Sequence, residues 1–206
     1  MDKIREQVDI FIGLHSAIQD FWFQKSENNA KERLNFNKLK VKNYNLDILE
    51  YIYNYRNTLS LYAPFLNEIL NNCNISRTRI KEMLSMDQKV KNYMLGELHG
   101  EVIFNKCLND IFGARIIIKD DIDFKILSQY LRDEFKDKIK LTDADKVVGY
   151  KARHIYVRSA PGHFQWEMQI WHECDEKRNV ELHEQYKRGY ITQLKEWEKQ
   201  KDGIRT

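Results

Sequence analysis

The chain has 206 residues, of which 42% are hydrophobic and 32% charged, so it is long enough for one sizeable core and requires no second independent domain. Its net charge of +3 is too small to indicate a nucleic-acid or membrane-surface protein by itself. The three widely separated cysteines, Cys73, Cys107 and Cys174, fit neither a disulfide framework nor a Cys-x-x-Cys zinc site. The first residues lack an apolar signal core and no run reaches membrane-spanning length, so we expect a reduced, cytoplasmic protein with no membrane partner.

The N-terminal third is predicted to be mostly helical. Apolar residues recur at helical spacing from Ile4 to about Phe23. They do so again from about Leu46 to Leu70, where Pro64 marks a break or kink. The segment between them, from Lys25 to Lys42, is rich in Asn and Lys and is predicted to be a loop.

After this helical third, the pattern changes to alternating strands and helices. A polar, basic segment from Ser76 to Lys91 comes first, and the β-branched run from Ala114 to Ile118 is typical of a buried strand. Asp121 is expected to cap a helix. The apolar residues at helical spacing after it predict the buried face of that helix: Phe124, Leu127, Leu131 and Phe135.

The last third is predicted to contain a hairpin and a long helix. Strands from His154 to Arg158 and from Phe164 to Trp171 are joined through a Pro-Gly turn, which predicts antiparallel pairing. A final helix is predicted from Asn179 to Gln200. The whole pattern predicts an α+β fold, with a small mixed or antiparallel sheet flanked by helices. We divide it into a helical region (1–74), a core (75–190) and a C-terminal helix end and tail (191–206).

Two carboxylates, Asp110 and Glu167, give the best indication of a functional site. Around Glu167 the apolar residues alternate with polar ones, so period-two geometry buries one strand face and lines the other with Gln165, Glu167 and Gln169. An acid between two amides on a strand is hard to explain by folding alone. We expect Asp110 to lie in a similar strand position.

Several cations lie close together before the first acid, at Arg79, Lys81 and Lys89. Cations and two acids suggest a nucleotide polyphosphate with Mg²⁺, because Mg²⁺ takes one or two carboxylates and completes its shell with water and phosphates. The alternative is that these cations line a solvated helix face. P-loop, dinucleotide-binding and protein-kinase motifs are absent from the sequence, which excludes those classes.

Taken in order, the motifs from about Ile75 to Tyr190 resemble the synthetase domain of the RelA/SpoT family, which makes the alarmones ppGpp and pppGpp. In that family a basic element holds ATP, and a strand motif supplies an Asp that binds Mg²⁺. The positions here that resemble these two motifs are Arg79, Lys81, Ser85 and Lys89 for the first, and Asp110, Gly113 and Arg115 for the second.

The acceptor half of the family site is similar to three later segments. The resemblance implies that Tyr150 stacks on the acceptor guanine and that Glu167 is the catalytic acid. The resembling positions are Gly149, Tyr150 and His154 in a loop, Glu167, Gln169 and Ile170 on a strand, and His183, Tyr186 and Lys187 further on. We place Lys151 with the acceptor-binding residues. The sequence departs from the family at Val148, Ala152 and Trp171, where Asn, Ser and Arg are common.

The resemblance implies a small, stand-alone pyrophosphokinase that uses Mg²⁺. It would transfer the β,γ-pyrophosphate of ATP to the 3′-hydroxyl of GDP or GTP and release AMP. Asp110 and Glu167 would bind the metal, and Glu167 would also take the hydroxyl proton.

Two other functions stay open. One is a toxic family member that pyrophosphorylates the tRNA 3′ end, for which a basic surface is available at Lys31, Arg33, Lys38, Lys40, Lys42, Lys151 and Arg153. The other is a non-catalytic nucleotide-binding or partner-binding module. Aromatic residues expected to be exposed near both ends, Trp22, Tyr190 and Trp197, could contact an antitoxin or a second copy of the chain.

Overall fold

The computed structural model describes residues 1–26, 34–96, 98–119, 121–143, 149–157, 160, 162–185, 188 and 192. The helices are α1 (Asp2–Ser26), α2 (Leu46–Asn72), α3 (Met83–Leu95), α4 (Phe104–Cys107), α5 (Phe124–Phe135) and α6 (176–185). The strands are β1 (Arg77–Ile80), β2 (Phe112–Ile118), β3 (Ile139–Asp143), β4 (Arg153–Val157) and β5 (Trp166–His172). Short 3₁₀ turns lie at Val41–Asn43, Lys136–Lys138 and Glu173–Asp175.

The five strands form one mixed sheet in the order β1-β2-β5-β4-β3. The β2 and β5 strands pair in parallel, and the other three pairings are antiparallel. The predicted α+β class, with a small sheet flanked by helices, is therefore confirmed. The antiparallel pairing of the last two strands is also confirmed, since β4 and β5 are antiparallel neighbours.

Helices α1 and α2 cover the apolar face of the sheet. Phe11 of α1 packs against Phe112 and Trp166, with ring centroids 6.0 and 5.5 Å apart. Trp166 Nε1 donates a hydrogen bond to the Tyr55 hydroxyl of α2, 2.8 Å away. The N-terminal helices and the sheet thus share one hydrophobic core. None of the helices in the described ranges combines the length and apolar character needed to cross a membrane.

Several predicted boundaries need correction. The helix cap is Asp123, not Asp121, because Asp123 Oδ1 accepts hydrogen bonds from the backbone N–H groups of Lys125 and Ile126 at 2.6 and 3.3 Å. Helix α2 continues through Pro64 to Asn72, so the proline does not end it.

The predicted final helix begins earlier than expected, since residues 176–185 are already helical. Most of its predicted length after residue 185 lies outside the described residues. The segment from Ser76 to Lys91, which carried no secondary-structure prediction, forms β1 and the start of α3.

Trp22 was expected to be exposed, and this is wrong. Only 7% of Trp22 is exposed, and its ring packs edge-on against Tyr51 and Tyr55 of α2. The period of α1 places this large ring on the core side. The other two aromatics of that prediction, Tyr190 and Trp197, lie outside the described residues.

Candidate functional site

Two rows of polar side chains cross the sheet on the face opposite to α1 and α2. Residues paired across neighbouring strands share a face, so the strand register decides which side chains meet. The register gives one row of Arg79, Gly113, Glu167, Tyr156 and Lys140, and a second row of Arg77, Arg115, Gln169, His154 and Thr142. Six of the predicted site residues thus lie on one face: Arg79, Gly113, Arg115, His154, Glu167 and Gln169.

Glu167 lies at the centre of this face, on the middle strand β5, and is only 7% exposed. One carboxylate oxygen, Oε1, lies 2.9 Å from His154 Nδ1, and the other accepts a hydrogen bond of 2.9 Å from Gln169 Nε2. Burial raises the pKa of the carboxyl group, but the hydrogen bond and charge of His154 outweigh it and hold the pKa of Glu167 below its ordinary value. Glu167 is therefore ionised at neutral pH.

The hydrogen bonds around Glu167 continue on both sides. Because the ionised carboxylate can only accept, His154 donates to it through Nδ1, and His154 Nε2 lies 3.2 Å from the Tyr150 hydroxyl oxygen. On the other side, Arg115 Nη2 donates to Gln169 Oε1 at 3.2 Å. Five side chains from β2, β4, β5 and the 149–152 loop therefore form one connected chain.

Asp110 was expected in a strand position, but it lies in the turn that precedes β2. Its carboxylate is held by cations: Lys81 Nζ is 2.6 Å from Oδ2, and Lys89 Nζ is 2.9 Å from Oδ1. Arg79 Nη2 lies 3.5 Å from Oδ2. Burial alone would raise the pKa of Asp110, but the two ammonium groups lower it well below its ordinary range. The turn thus places a fully ionised acid among three cations.

Lys81 and Lys89 respond in opposite directions to this cluster. Burial and the neighbouring cations Lys89 and Arg79 lower the pKa of Lys81, although Asp110 opposes this. Burial would also lower the pKa of Lys89, but the attraction of Asp110 outweighs it and raises the value. The charged form of Lys81 is therefore less stabilised than that of Lys89, and an added anion would stabilise it.

Trp171, one of the departures from the family pattern, supports Arg115. The Arg115 guanidinium carbon lies 3.3 Å above the centre of the Trp171 ring, a cation–π contact. Tyr150 packs edge-on against the same ring, with centroids 6.1 Å apart. Trp171 and Ala152, a second departure, are fully buried with Tyr150 in one small cluster. The third departure, Val148, lies outside the described residues.

An open cleft with a volume of about 90 Å³ lies over this polar face. Its described lining residues are Arg77, Thr78, Arg79, Gly113, Ala114, Arg115, Glu167, Gln169 and His183. Three arginines therefore face one carboxylate among the lining residues. Burial, followed by the charge of Arg77, lowers the pKa of Arg115 to about 10. Such a cluster of like charges favours an anionic ligand.

The remaining predicted residues are not all at the cleft. Ser85 lies half-buried in the first turn of α3, one helical turn before Lys89, so the two side chains share a helix face. His183 of α6 lines the cleft, and burial lowers the pKa of its ring. Gly149 and Lys151 instead line a second hollow beside Tyr150. Tyr186 and Lys187 lie outside the described residues.

Sequence reasoning missed three residues of this region. Arg77 lines the cleft, and Tyr156 lies in the same row as Glu167. Asn179 is fully buried and bonds to the main chain of Lys151. Residues two apart on a strand share a face, so Arg79 could have indicated Arg77, and His154 could have indicated Tyr156. Nothing in the sequence pattern indicated Asn179.

The two predicted metal ligands are compatible with a hard cation. Among the described residues, no group of three or more His, Cys, Asp or Glu side chains could hold a metal ion. A Mg²⁺ ion bound with phosphates needs only one or two carboxylates. Both carboxylates are ionised and already accept hydrogen bonds, Asp110 from Lys81 and Lys89, and Glu167 from His154 and Gln169. The donor set therefore fits Mg²⁺, but the cations around Asp110 oppose it until an anion is present.

Comparisons with known proteins gave one kind of match. No protein-family model matches the sequence, and no curated protein matches it. The chain is similar to solved small alarmone synthetases from Bacillus subtilis, the type of protein that its motifs resemble. It is 16% identical to synthetase 1 over 74% of this chain and 89% of that one, with a TM-score of 0.37.

Two further solved structures from Bacillus subtilis match in the same way. For synthetase 2 the identity is 19% over 77% of this chain and 91% of that one, with a TM-score of 0.39. Synthetase 1 bound to its product pppGpp matches at 19% over 71% and 87%, with a TM-score of 0.36. At these identities and scores the comparison assigns no role to any residue of this chain.

Proposed function

We propose that this chain is a pyrophosphokinase that transfers the β,γ-pyrophosphate of ATP to the 3′-hydroxyl of GDP or GTP. The observation that carries the proposal is the position of an ionised, buried acid, Glu167, in a cleft walled by three arginines. A second acid, Asp110, lies in a cluster of cations at the start of β2. A base and a set of cations supply the proton acceptor and the charge neutralisation by which enzymes catalyse phosphoryl transfer.

Glu167 is the proton acceptor in this proposal. The acceptor hydroxyl attacks the β-phosphorus, the new O3′–Pβ bond forms, and the bond between Pβ and the α,β-bridging oxygen breaks, so that AMP leaves. Glu167 takes the proton of the hydroxyl. His154 and Gln169 each donate to one carboxylate oxygen, which fixes the orientation of the acid and keeps it unprotonated before the reaction.

The cations supply the electrostatic part of catalysis. Arg115 holds one hydrogen bond to Gln169, and its buried Nε–H has no acceptor within the described part of the chain. Since Arg115 lines the cleft, its guanidinium group would contact phosphate oxygens of a bound nucleotide. Arg79, Lys81 and Lys89 surround Asp110 and would neutralise the triphosphate as charge moves towards the leaving AMP.

Asp110 and Glu167 would hold Mg²⁺ when the nucleotide binds. The ion would neutralise phosphate oxygens and orient the triphosphate for in-line attack. Lys81 and Lys89 could then donate to the phosphates in place of Asp110. The chain itself supplies two carboxylates whose pKa values are lowered by neighbouring groups, so both are ionised before the nucleotide binds.

Tyr150 contacts the site through its hydroxyl group. The ring is 8% exposed and packed on Trp171, and the hydroxyl bonds His154. Stacking on an acceptor base, as the resemblance implies, would require the ring to turn out of this contact. Burial, and then the negative charge of Glu167, raise the pKa of Tyr150 to about 12, so the hydroxyl stays a donor at neutral pH.

Part of the basic surface expected for a tRNA substrate is paired or buried in the described part of the chain. Lys40 and Lys42 both pair with Glu101. Arg153 is 5% exposed and lies over the Phe124 ring. Lys31 and Arg33 lie outside the described residues. Lys38 and Lys151 are exposed, so basic residues remain on this surface, and the acceptor assay decides between a free nucleotide and tRNA.

The test is incubation with γ-labelled ATP and Mg²⁺ in the presence of GDP, GTP or deacylated tRNA. We expect labelled guanosine product and release of AMP, with no label on the tRNA. The Glu167→Gln variant should lose at least about 100-fold in turnover, the range for removal of a general base. Glu134→Gln, an exposed glutamate on α5, serves as the matched control and should keep full activity.

Three outcomes would contradict the proposal. Label on tRNA alone would assign the toxic type of activity. No AMP release with any acceptor would indicate a non-catalytic module. Normal turnover in Glu167→Gln, with the fold intact by circular dichroism, would remove Glu167 from the mechanism.

A further inference from the structure

Asn179 makes an unusual pair of contacts for a residue inside a helix. It is fully buried in α6. Its Oδ1 accepts a hydrogen bond of 3.0 Å from the Lys151 backbone N–H, and its Nδ2 donates one of 2.8 Å to the Lys151 carbonyl. One side-chain amide thus satisfies both main-chain groups of a residue that lies in neither a helix nor a strand.

The same face of α6 carries two residues that reach the site. Residues three and four positions apart lie on one face of a helix, and Leu182 and His183 follow Asn179 at these spacings. Leu182 packs against the cluster of Tyr150, Ala152 and Trp171. His183 lines the cleft with Glu167. One helix face therefore contacts the 149–152 loop, the small aromatic cluster and the cleft.

A second contact joins the loop to α6. Gly149 has a φ of +89°, a backbone conformation that favours glycine. A Cβ atom built on it would lie 2.0 Å from Arg178 Nη2, so the guanidinium group lies directly against the glycine. The loop is thus docked on α6 at Gly149 and again at Lys151.

This docking determines where Tyr150 can be. Tyr150 lies between the two docked residues, and its hydroxyl group bonds His154, which in turn bonds Glu167. The docked loop fixes the Tyr150 backbone beside the cleft, whereas a free loop would let that backbone move away, whichever way the ring turns. Two hydrogen bonds to the main chain hold it without using any group that the proposed reaction needs.

We propose that Asn179 is a positioning residue that fixes the 149–152 loop on α6 and so sets Tyr150 and His183 around the acceptor nucleotide. This inference rests on the proposed function for its kinetic consequence. The structural part, a side-chain clamp on the Lys151 peptide, is independent of any activity.

The first test is hydrogen exchange of the 149–152 segment in Asn179→Ala, measured by mass spectrometry on the full chain. Loss of two hydrogen bonds should speed exchange of the Lys151 amide by about tenfold or more. Asn179→Asp keeps an acceptor for the Lys151 N–H but cannot donate to its carbonyl, so its exchange rate should be intermediate.

The matched control is Asn105→Ala. Asn105 is also buried, at 3% exposure, and donates to Asn37 and to the His163 carbonyl, away from this loop. It should lower overall stability without speeding exchange in the 149–152 segment. Equal loss of loop protection in both variants would mean general destabilisation and would overturn the proposal, as would unchanged exchange in Asn179→Ala.

The second test is kinetic. In Asn179→Ala the KM for the guanosine acceptor should rise about tenfold or more, because loss of the two hydrogen bonds loosens the loop on the acceptor side. The KM for ATP should stay within about twofold. An equal rise of both would contradict a role on the acceptor side. If the wild-type chain transfers pyrophosphate to no acceptor, the proposed function fails, and the exchange experiment alone decides the clamp.

Discussion

Lowering the pH from 7 to 5 should destabilise the fold through one buried histidine. His15 of α1 is fully buried, with Nε2 2.7 Å from the Phe164 carbonyl oxygen and the ring edge-on to Trp166. Burial lowers its pKa from 6.5 to about 4. The unfolded chain therefore binds a proton near pH 6.5, whereas the folded chain does not until about pH 4.

The sign and size of the effect follow from this difference. Because the unfolded state binds more protons, stability is complete above pH 6.5 and is lost as the pH falls towards 4. The full difference amounts to about 3 kcal/mol, and roughly 2 kcal/mol of it falls between pH 7 and pH 5. His183, whose pKa burial also lowers, adds in the same direction.

The assay is urea unfolding followed by tryptophan fluorescence at the two pH values. His15→Gln keeps an amide donor for the Phe164 carbonyl but cannot titrate, so its stability should change by about 2 kcal/mol less than that of the wild type over this range. His99→Gln, at an exposed histidine, is the control and should keep the wild-type slope. A His15→Gln variant with the wild-type slope would refute the reasoning.

Two further predictions concern the site. Electron paramagnetic resonance should show no Mn²⁺ binding to the wild type without nucleotide. Lys89→Met should raise that affinity about tenfold or more, since it removes a cation 2.9 Å from Asp110, and equal binding by both proteins would contradict this. Gly149→Ala should lower the free energy of unfolding by about 1–3 kcal/mol, because φ is +89° there. Removing the Arg178 side chain as well should restore only the part of this free energy that is lost through the clash between the new Cβ and Arg178. Urea unfolding of the double variant would measure that part.

The central elements could be predicted from the sequence because their patterns are unambiguous. Apolar and polar residues alternate from Phe164 to Ile170, and the inner face of α5 repeats every three to four residues, with Leu127, Leu131 and Phe135 buried as expected. Strands β1 and β3 were missed. They are the two edges of the sheet, and edge strands are short and polar. The sequence Arg77–Ile80 contains one large apolar residue among four, which gives no strand pattern.

The contacts of the site could be predicted only in part. The order of the motifs brought Glu167, Gln169 and His154 into one hypothesis, and the register places them side by side. The two lysines on Asp110 were assigned to ATP, but their contact with the acid depends on where the turn before β2 meets β1. Asn179 could not be found, because a buried asparagine in a helical pattern carries no sign of the loop that it contacts.

The position of Glu167 is determined by the core on the other side of the same strand. Trp166, the residue before it, points to the opposite face and donates its indole hydrogen bond to Tyr55 of α2. Pairing with β4 then sets His154 opposite Gln169, so that the imidazole reaches Glu167 diagonally. Because strand side chains alternate, a slip of one residue between β4 and β5 would turn His154 to the core face and place Ile155 beside the acid. The packing of α1 and α2 against Trp166 thus fixes the geometry of the acid in the cleft, although neither helix contacts that cleft among the described lining residues.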